Sequence, residues 1–210
     1  MKRQPEESRD RILAAAVKIF AEKGYNGARI DQIAGEAGVN KALIYYYFEG
    51  KEAILNELFQ SFFRQSTGML LDFVERGGFG ENPEENKRLF EAEYASYLMS
   101  SRDLLKIIVM ESLKDENEDT PLFNLVDLGG SATPERLDDM ESQTGMSEAE
   151  KNQLYVTEFF TGVMPFVCYI VLKDKWCRHF GMEEEELGRC FDIAMEDTHE
   201  QYHKNRDGKP

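Results

Sequence analysis

The sequence is poor in proline, cysteine and histidine, and it has no long apolar run. Six prolines in 210 residues leave room for long, uninterrupted helices. Three cysteines form an odd count and lack the spacing of a disulfide framework or of paired metal ligands, which favours free thiols in a reducing compartment. A membrane-spanning run needs about 18 apolar residues, and the charged first residues lack the apolar core of a signal peptide. We therefore expect a cytoplasmic protein that does not insert into a membrane.

Basic residues are also scarce, because 25 lysines and arginines face 40 acidic residues and give a net charge of −15. The deficit is uneven along the chain. Residues 1–52 carry nine basic and eight acidic residues, whereas residues 53–210 carry 16 basic and 32 acidic residues. Phosphates would repel the acidic second part, so only the first part is electrostatically suited to contact DNA.

Apolar residues recur at helical spacing along the first third of the chain. Ser8 is a suitable N-cap for a first helix, and Gly24 is predicted to end it. Shorter helices are predicted at 30–37 and 41–48, and a long fourth helix begins at Lys51. Strand-like alternation of useful length is missing, so the pattern predicts an all-α fold.

Short glycine- and proline-containing segments separate the remaining helices. The segments 77–80 and 129–134 predict turns or loops. The periodicity predicts further helices at 84–100, 102–115, 120–128, 148–180 and 183–203. Residues 205–210 are expected to form a frayed tail.

The segment 29–48, RIDQIAGEAGVNKALIYYYF, has the pattern of a helix-turn-helix. Ala34 is small where the two helices touch, and Gly38 lies where the backbone turns sharply. Asn40 caps the next helix, which would present its first residues to the major groove of DNA.

With its flanks, this segment resembles the TetR family of helix-turn-helix transcriptional regulators. The shared positions, in order and at family spacing, are Phe20, Gly24-Tyr25, Ile33-Ala34, Ala37-Gly38-Val39, Ile44-Tyr45, Phe48 and Lys51-Glu52. The resemblance implies a DNA-binding domain at 6–66 and a ligand-binding and dimerisation domain at 67–204. It also implies a homodimer formed through the last two long helices, because a two-fold pair matches half-sites about one turn of DNA (~34–36 Å) apart.

The resemblance further implies which side chains contact double-stranded operator DNA. The lysines reach phosphates, Tyr45 and Tyr46 touch the sugar-phosphate backbone, and small apolar side chains meet thymine methyl groups. The predicted contact residues are Arg29, Asn40, Lys41, Ala42, Leu43, Tyr45, Tyr46, Tyr47 and Lys51.

Simpler interpretations stay open for some of these residues. Asn40 needs no role beyond capping, and Tyr47 suits the hydrophobic core of the helix-turn-helix equally well. Lys41 and Lys51 also suit a solvated surface. Arg29 stands where the family often has a hydroxyl cap, and position 43 is bulkier than usual, so the operator sequence stays open.

The implied function is a ligand-responsive regulator, in the simplest case a repressor released from DNA by a small apolar or amphipathic molecule. Methionine and aromatic side chains suit such a pocket, although each also suits an ordinary core. The two acidic candidates lie among apolar residues and would attract a cationic ligand unless they face solvent or a basic partner. The candidate pocket residues are Phe90, Tyr94, Tyr97, Met110, Glu111, Phe123, Tyr155, Glu158, Phe159 and Met164.

Three alternatives are weighed against this function. The same fold serves ligand-dependent activators and co-repressed regulators, and a helical adaptor without DNA binding is the third choice. No phosphate-binding loop or nucleophile motif predicts an enzyme. Carboxylates and imidazoles share one face of the final helix at Asp192, Glu196, His199 and His203. An acidic solvated face is the simpler interpretation, so neither a metal nor a cofactor is predicted.

Overall fold

The structure is a computed structural model that describes residues 5–76, 83–114, 120–129 and 147–207. Within these ranges it contains helices and no strand, which confirms the all-α prediction. The turn predicted at 77–80 and most of the loop predicted at 129–134 lie outside the described residues. The first six helices are α1 (Pro5–Gly27), α2 (Ile30–Ala37), α3 (Lys41–Tyr47), α4 (Lys51–Glu75), α5 (Pro83–Ser100) and α6 (Arg102–Ser112).

The chain forms two compact units, Met1–Pro121 and Leu122–Pro210. The first unit is larger than the predicted DNA-binding domain at 6–66, because α6 packs along α1 and α5 packs against α4. The division into functional domains at residue 66 therefore stays a prediction.

The start of α1 differs from the sequence prediction. The helix begins at Pro5, and Ser8 is buried within it, so the predicted N-cap at Ser8 is wrong. Glu6 and Glu7 occupy the first turn instead, where their charges favour the helix N-terminus. Gly24 was predicted to end the helix; its backbone does leave helical geometry, with φ 70° and ψ 159°, but α1 continues beyond this kink to Gly27.

The packing of α6 against α1 holds the first unit together. Phe20 on α1 and Leu105 and Ile108 on α6 are almost completely buried. The Lys106 ammonium donates a 2.6 Å hydrogen bond to the Ala21 carbonyl. This bond satisfies a main-chain acceptor close to the break in α1, where helical partners are lost.

The second unit begins with a 3-10 helix at Phe123–Gly129, where the sequence predicted an α-helix. Two long, nearly continuous helical rods follow. The first consists of α7 (Glu148–Thr157), a π segment (Glu158–Val163) and α8 (Met164–Phe180). The second consists of α9 (Glu184–Met195), a π segment (Glu196–Glu200) and α10 (Gln201–Asp207). These rods match the predicted helices 148–180 and 183–203 closely.

Local sequence explains both the start and the irregularity of the first rod. Ser147 and Glu150 form a reciprocal capping box, in which the Ser147 N–H donates to Glu150 Oε2 at 2.8 Å. Pro165 lies at the second residue of α8 and lacks the N–H that an α-helix would direct at Thr161. The π segment lies just before this proline.

The first rod is also the one helical stretch among the described residues that has the length and composition to cross a membrane. Its most apolar 18-residue window has a mean hydropathy of 1.6, and 28% of that window is buried within the single chain. No such stretch was predicted from the sequence, because it contains no uninterrupted run of about 18 apolar residues. A core or interface helix has the same composition.

Candidate functional site

The turn between α2 and α3 is built on a left-handed glycine. Gly38 has φ 63° and ψ 39°, a conformation that is costly for residues with a Cβ. The Gly38 N–H donates to the Gly35 carbonyl at 3.2 Å, and the Val39 N–H donates to the Ala34 carbonyl at 3.0 Å. These two bonds form a Schellman motif, and they confirm the turn predicted at Gly38.

A guanidinium from α1 fixes this turn. Arg11 Nη2 donates to the carbonyls of Ala37 and Gly38, the latter at 3.2 Å. A cation at the C-terminal end of α2 is favourable, because the last carbonyls of a helix lack helical donors. This role of Arg11 could not be predicted from local spacing, since Arg11 lies 26 positions from Ala37 in the sequence.

The start of α3 is capped as the sequence predicts. Asn40 Oδ1 accepts a 2.7 Å hydrogen bond from the Leu43 N–H. The inner side of α3 is buried through Ile44, and Phe48 is buried directly after the helix. The cap and the inner face therefore hold α3 in place and leave its outer face free.

That outer face is rich in exposed tyrosine. Tyr46 keeps 76% of its surface exposed and Tyr45 keeps 50%. Tyr47 is half-buried, with its ring edge-on to the Tyr46 ring at a centroid distance of 5.0 Å. Exposed rings on a rigid helix are typical of contact surfaces, because aromatic groups gain from burial against a partner. Among the other predicted contacts, Arg29, Asn40, Lys41 and Ala42 are exposed, and Leu43 is half-buried.

Lys41 already has an acidic partner on this surface. Its ammonium lies 3.0 Å from Asp31 Oδ1, and both side chains are at least half exposed. The hydrogen bond to Asp31 raises the pKa of Lys41 above its ordinary value. Binding to a phosphate would require Lys41 to exchange one anion for another.

Lys51 is positioned differently from the other predicted contacts. Its ammonium donates to the carbonyls of Tyr25 at 2.6 Å and Ala28 at 3.1 Å. It also lies 4.3 Å from the centroid of the Tyr25 ring, within the range of a cation–π interaction. Lys51 thus ties the start of α4 to the end of α1, and a phosphate contact from it stays a prediction.

A second candidate site lies between α4 and α5 in the first unit. It is a cavity of about 320 Å³ with mixed polar and apolar walls. Its lining residues are Met69, Asp72, Phe73, Arg76, Asn86, Leu89, Phe90 and Glu93. Of the ten predicted pocket residues, Phe90 is the one that lines this cavity.

A ladder of aromatic rings runs inward from this cavity. Phe73 stacks on Phe90 at 4.6 Å, and Phe90 stacks on Tyr94 at 5.5 Å. The series continues from Tyr94 to Tyr97 at 6.4 Å and from Tyr97 to Phe62 at 5.7 Å. The structure thus brings together the predicted residues Phe90, Tyr94 and Tyr97.

Two buried hydroxyls lie along the ladder. Burial raises the pKa of Tyr94 to about 12, and the nearby Ser66 hydroxyl offsets part of this rise. Within the described residues, neither Ser66 Oγ nor the Tyr94 hydroxyl has a hydrogen-bond partner of normal geometry. Buried hydroxyls usually have a partner, so these two groups are suited to bind a polar atom of a ligand.

The remaining predicted pocket residues lie elsewhere in their units. Glu111 forms an ion pair with Lys114 at 2.7 Å and is near enough to Tyr25 to raise the pKa of that side chain. The Met110 methyl lies 3.8 Å from the position that a Cβ on Gly24 would take. Both residues are therefore close to the end of α1. In the second unit, Phe123 meets Phe159 edge-on at 5.6 Å. Tyr155 and Met164 are half-buried.

Glu158 is the predicted pocket residue with the most unusual surroundings. Its side chain is only 4% exposed, and its carboxylate lies 3.0 Å from His203 and 3.7 Å from His199. Helical spacing grouped the two histidines with Asp192 and Glu196 on one face. Local spacing gave no indication of Glu158, because the residues lie on different rods.

Comparison with known proteins agrees with this architecture. Residues 12–58 match the pattern of bacterial regulatory proteins of the tetR family. The transcriptional repressor NicS of Pseudomonas putida is 32% identical over 133 residues. The match covers 61% of this chain, and the chain spans 59% of the length of NicS.

Solved structures of similar fold extend over nearly the whole chain. A putative fatty acid metabolism regulator from Clostridium perfringens matches with a TM-score of 0.60 at 20% identity, covering 90% of this chain and 97% of its own. FadR from Bacillus subtilis, solved in complex with stearoyl-CoA, matches with a TM-score of 0.57 at 20% identity, covering 89% and 95%. At this identity the similarity establishes the fold.

Proposed function

This chain belongs to the TetR family of bacterial regulatory proteins, and from that premise we propose that it is a transcriptional repressor. It binds operator DNA as a homodimer in the cytoplasm and leaves the operator when a small apolar or amphipathic molecule binds. It acts by binding and not by catalysis. The observation that carries the proposal is the exposed tyrosine face of α3, held rigid by Gly38, Arg11 and Asn40.

The charge of residues 1–52, with nine basic and eight acidic residues, is compatible with DNA as the partner. Lys41 and Arg29 flank the exposed tyrosines, and each offers a cation that reaches solvent. Tyrosine hydroxyls donate to phosphate oxygens, and their rings pack on sugars. In this arrangement Lys41 exchanges Asp31 for a phosphate when DNA binds, and a counterion is released from the DNA.

The test is a binding titration with DNA fragments from the region around the protein's own gene, read by fluorescence anisotropy at several salt concentrations. Lys41→Gln should weaken specific binding and reduce the slope of log affinity against log salt by about 0.9 per protomer. Lys18→Gln is the matched control, because Lys18 is an exposed lysine of the same unit that also pairs with a carboxylate, that of Glu36. Equal slopes for both variants would show that Lys41 does not contact a phosphate, and no specific binding by the parent chain would favour a protein-binding adaptor.

A second copy of this chain is the partner we propose for the long rods. Leu172, Trp176 and Phe180 are 43%, 46% and 58% exposed and repeat at i, i+4 and i+8 along α8. Ile193 on α9 is 60% exposed. An apolar stripe of this kind on a helix is typical of a helical interface, and family members present two DNA-binding heads through such a pair.

The single tryptophan makes this interface measurable. Dilution of a dimer should change the fluorescence of Trp176, and sedimentation should show two chains at high concentration. Trp176→Glu should produce a monomer, since it places a charge in an apolar interface. Leu71→Glu is the control, because Leu71 is 55% exposed in the first unit. A parent chain that stays monomeric at all concentrations would contradict the proposal.

For the effector we propose the cavity between α4 and α5 and the aromatic ladder behind it. Flat rings suit an apolar chain, and the Ser66 and Tyr94 hydroxyls suit a polar group. Coupling to DNA would pass through the displacement of helices in the first unit. A tenfold loss of operator affinity needs only about 1.4 kcal/mol of coupling.

Stearoyl-CoA and free fatty acids of several lengths are suitable probes, because the Bacillus subtilis neighbour was solved with stearoyl-CoA. A probe that binds should lower operator affinity, and operator should lower probe affinity by the same factor. Phe90→Ala should weaken probe binding, whereas Leu113→Ala, at a side chain that is 78% exposed, should not. A probe that raises operator affinity would instead indicate a co-repressed regulator.

A further inference from the structure

The two π segments of the second unit pack against each other and bring three ligating side chains together. Glu158 opens the first π segment, and His199 lies in the second, with His203 on α10. One ligand atom from each side chain lies within 4.8 Å of the other two. π segments inside α-helices occur frequently at functional sites, since they direct side chains away from the regular helical pattern.

The contacts of Glu158 do not amount to a well-formed ion pair. Oε1 lies 3.0 Å from His203 Nε2, and Oε2 lies 3.7 Å from His199 Nε2. Oε1 is nevertheless a buried oxygen without a hydrogen bond of acceptable geometry among the described residues. A carboxylate that is 96% buried is costly unless its charge is compensated, and a metal ion held by the three side chains would compensate it.

The hydroxyl of Thr161 fixes the orientation of one imidazole. Thr161 Oγ1 donates its single hydrogen to the Thr157 carbonyl at 2.7 Å, so it accepts a hydrogen bond from His199 Nδ1 at 3.0 Å. With the proton on Nδ1, the lone pair of Nε2 points toward the carboxylate. Histidines that bind metals are oriented in this way, by a hydrogen bond from the nitrogen that does not bind the metal.

A glycine makes room for this ring. A Cβ placed on Gly162 would lie 2.7 Å from His199 Cε1 and 2.9 Å from Nε2, both closer than real contacts allow. His199 therefore lies directly against the backbone of the first rod. Glycine is the residue that permits such a close approach, and it follows immediately after the threonine that orients the ring.

We propose that Glu158, His199 and His203 bind a divalent first-row transition-metal ion, for which Zn²⁺ is the best match. Two imidazoles and one carboxylate are a known ligand set for zinc, with the fourth position open to water. Zinc–nitrogen and zinc–oxygen bonds of about 2.0–2.2 Å place tetrahedral ligand atoms roughly 3.4 Å apart. The two carboxylate–imidazole distances here, 3.0 Å from Oε1 and 3.7 Å from Oε2, lie on either side of this spacing, and all three ligand atoms lie within 4.8 Å of one another. The ion links the two rods, so its binding stabilises the second unit.

The test is isothermal titration of the metal-free full-length chain with zinc sulfate, without DNA or effector. The parent chain should bind one ion per chain, and Glu158→Gln and His203→Ala should abolish that binding. Thr161→Val keeps all three ligands and should lower the affinity by about 10- to 100-fold. Circular dichroism establishes that each variant is folded. The control is His179→Ala, which removes the exposed third histidine and should change nothing.

Cobalt(II) provides an independent readout, because its visible spectrum reports the donor atoms. A spectrum of nitrogen and oxygen ligation, lost in His203→Ala, supports the site. A thiolate charge-transfer band would place the ion on a cysteine and overturn the proposal, as would undiminished zinc binding by Glu158→Gln. Since neither operator nor effector is needed, failure here leaves the proposed regulatory function intact.

Discussion

Replacing Lys51 by methionine distinguishes a structural lysine from a DNA contact. The change keeps most of the side chain's length and removes the ammonium, which donates to two carbonyls and lies over the Tyr25 ring. A hydrogen bond to a charged group contributes about 1.5–3 kcal/mol, and an exposed cation–π contact about 0.5–1 kcal/mol. Because Lys51 is half-buried, we expect Lys51→Met to lower the free energy of unfolding by about 2–3 kcal/mol.

Thermal unfolding followed by circular dichroism measures this loss. For a chain of this length, 1 kcal/mol corresponds to about 2–4 °C, so the Tm of Lys51→Met should fall by about 5–10 °C. The salt dependence of operator binding should not change, because an ammonium that is held by carbonyls releases no counterion from DNA. Lys51→Arg retains a cation with several donors and should recover most of the stability.

The opposite pair of results would refute this reasoning. An unchanged Tm combined with a slope reduced by about 0.9 per protomer would show that Lys51 contacts phosphate and that the Tyr25 and Ala28 contacts are dispensable. Lys18→Met is the matched control and should alter neither quantity, since its ion pair with Glu36 is exposed.

Three other predictions concern the scaffold and are each measured by thermal or urea unfolding. Gly38→Ala should lower the free energy of unfolding by at least about 1–2 kcal/mol, because φ is +63°. Gly35→Ala, in the open middle of α2, should instead raise it by about 0.5–1 kcal/mol. Equal effects of the two substitutions would show that a side chain at position 38 causes no strain. Asn40→Ala should cost about 1 kcal/mol through loss of the cap, and no change would mean that water replaces it. Leu105→Ala should lower the free energy of unfolding by about 2–5 kcal/mol, and Leu113→Ala, at an exposed position, should hardly change it. Similar losses for the two variants would contradict the packing of α6 described above.

The helix-turn-helix could be predicted from sequence because its signals are local. Gly38, Asn40 and the buried Ile44 lie within seven positions, and each has a role that one turn of helix or one cap explains. The start of α1 was predicted less well, since Ser8 has the chemistry of a cap but lies within the helix. Propensity identifies a residue that is able to cap, and packing decides whether it does.

Contacts between distant segments were beyond sequence reasoning. Nothing in the spacing of Arg11 or Lys51 indicates that each supplies a cation to carbonyls more than 20 positions away. The histidines at 199 and 203 were grouped with acids on their own helix, because helical periodicity relates only residues of one element. Their actual neighbour, Glu158, lies on the other rod, and periodicity within one helix cannot indicate a contact between the two π segments.

The bond from Lys106 to Ala21 has a mechanical consequence for the regulator. It joins residues 85 positions apart, and α6 rests on α1 directly beside the break at Gly24. A displacement of α6 would therefore act on α1 next to Gly24, where the backbone is already non-helical. The exposed face of α3 is thus connected through α1 to both α6 and α4. Under the proposed function, an effector that shifts either helix would alter the position of α3 on operator DNA.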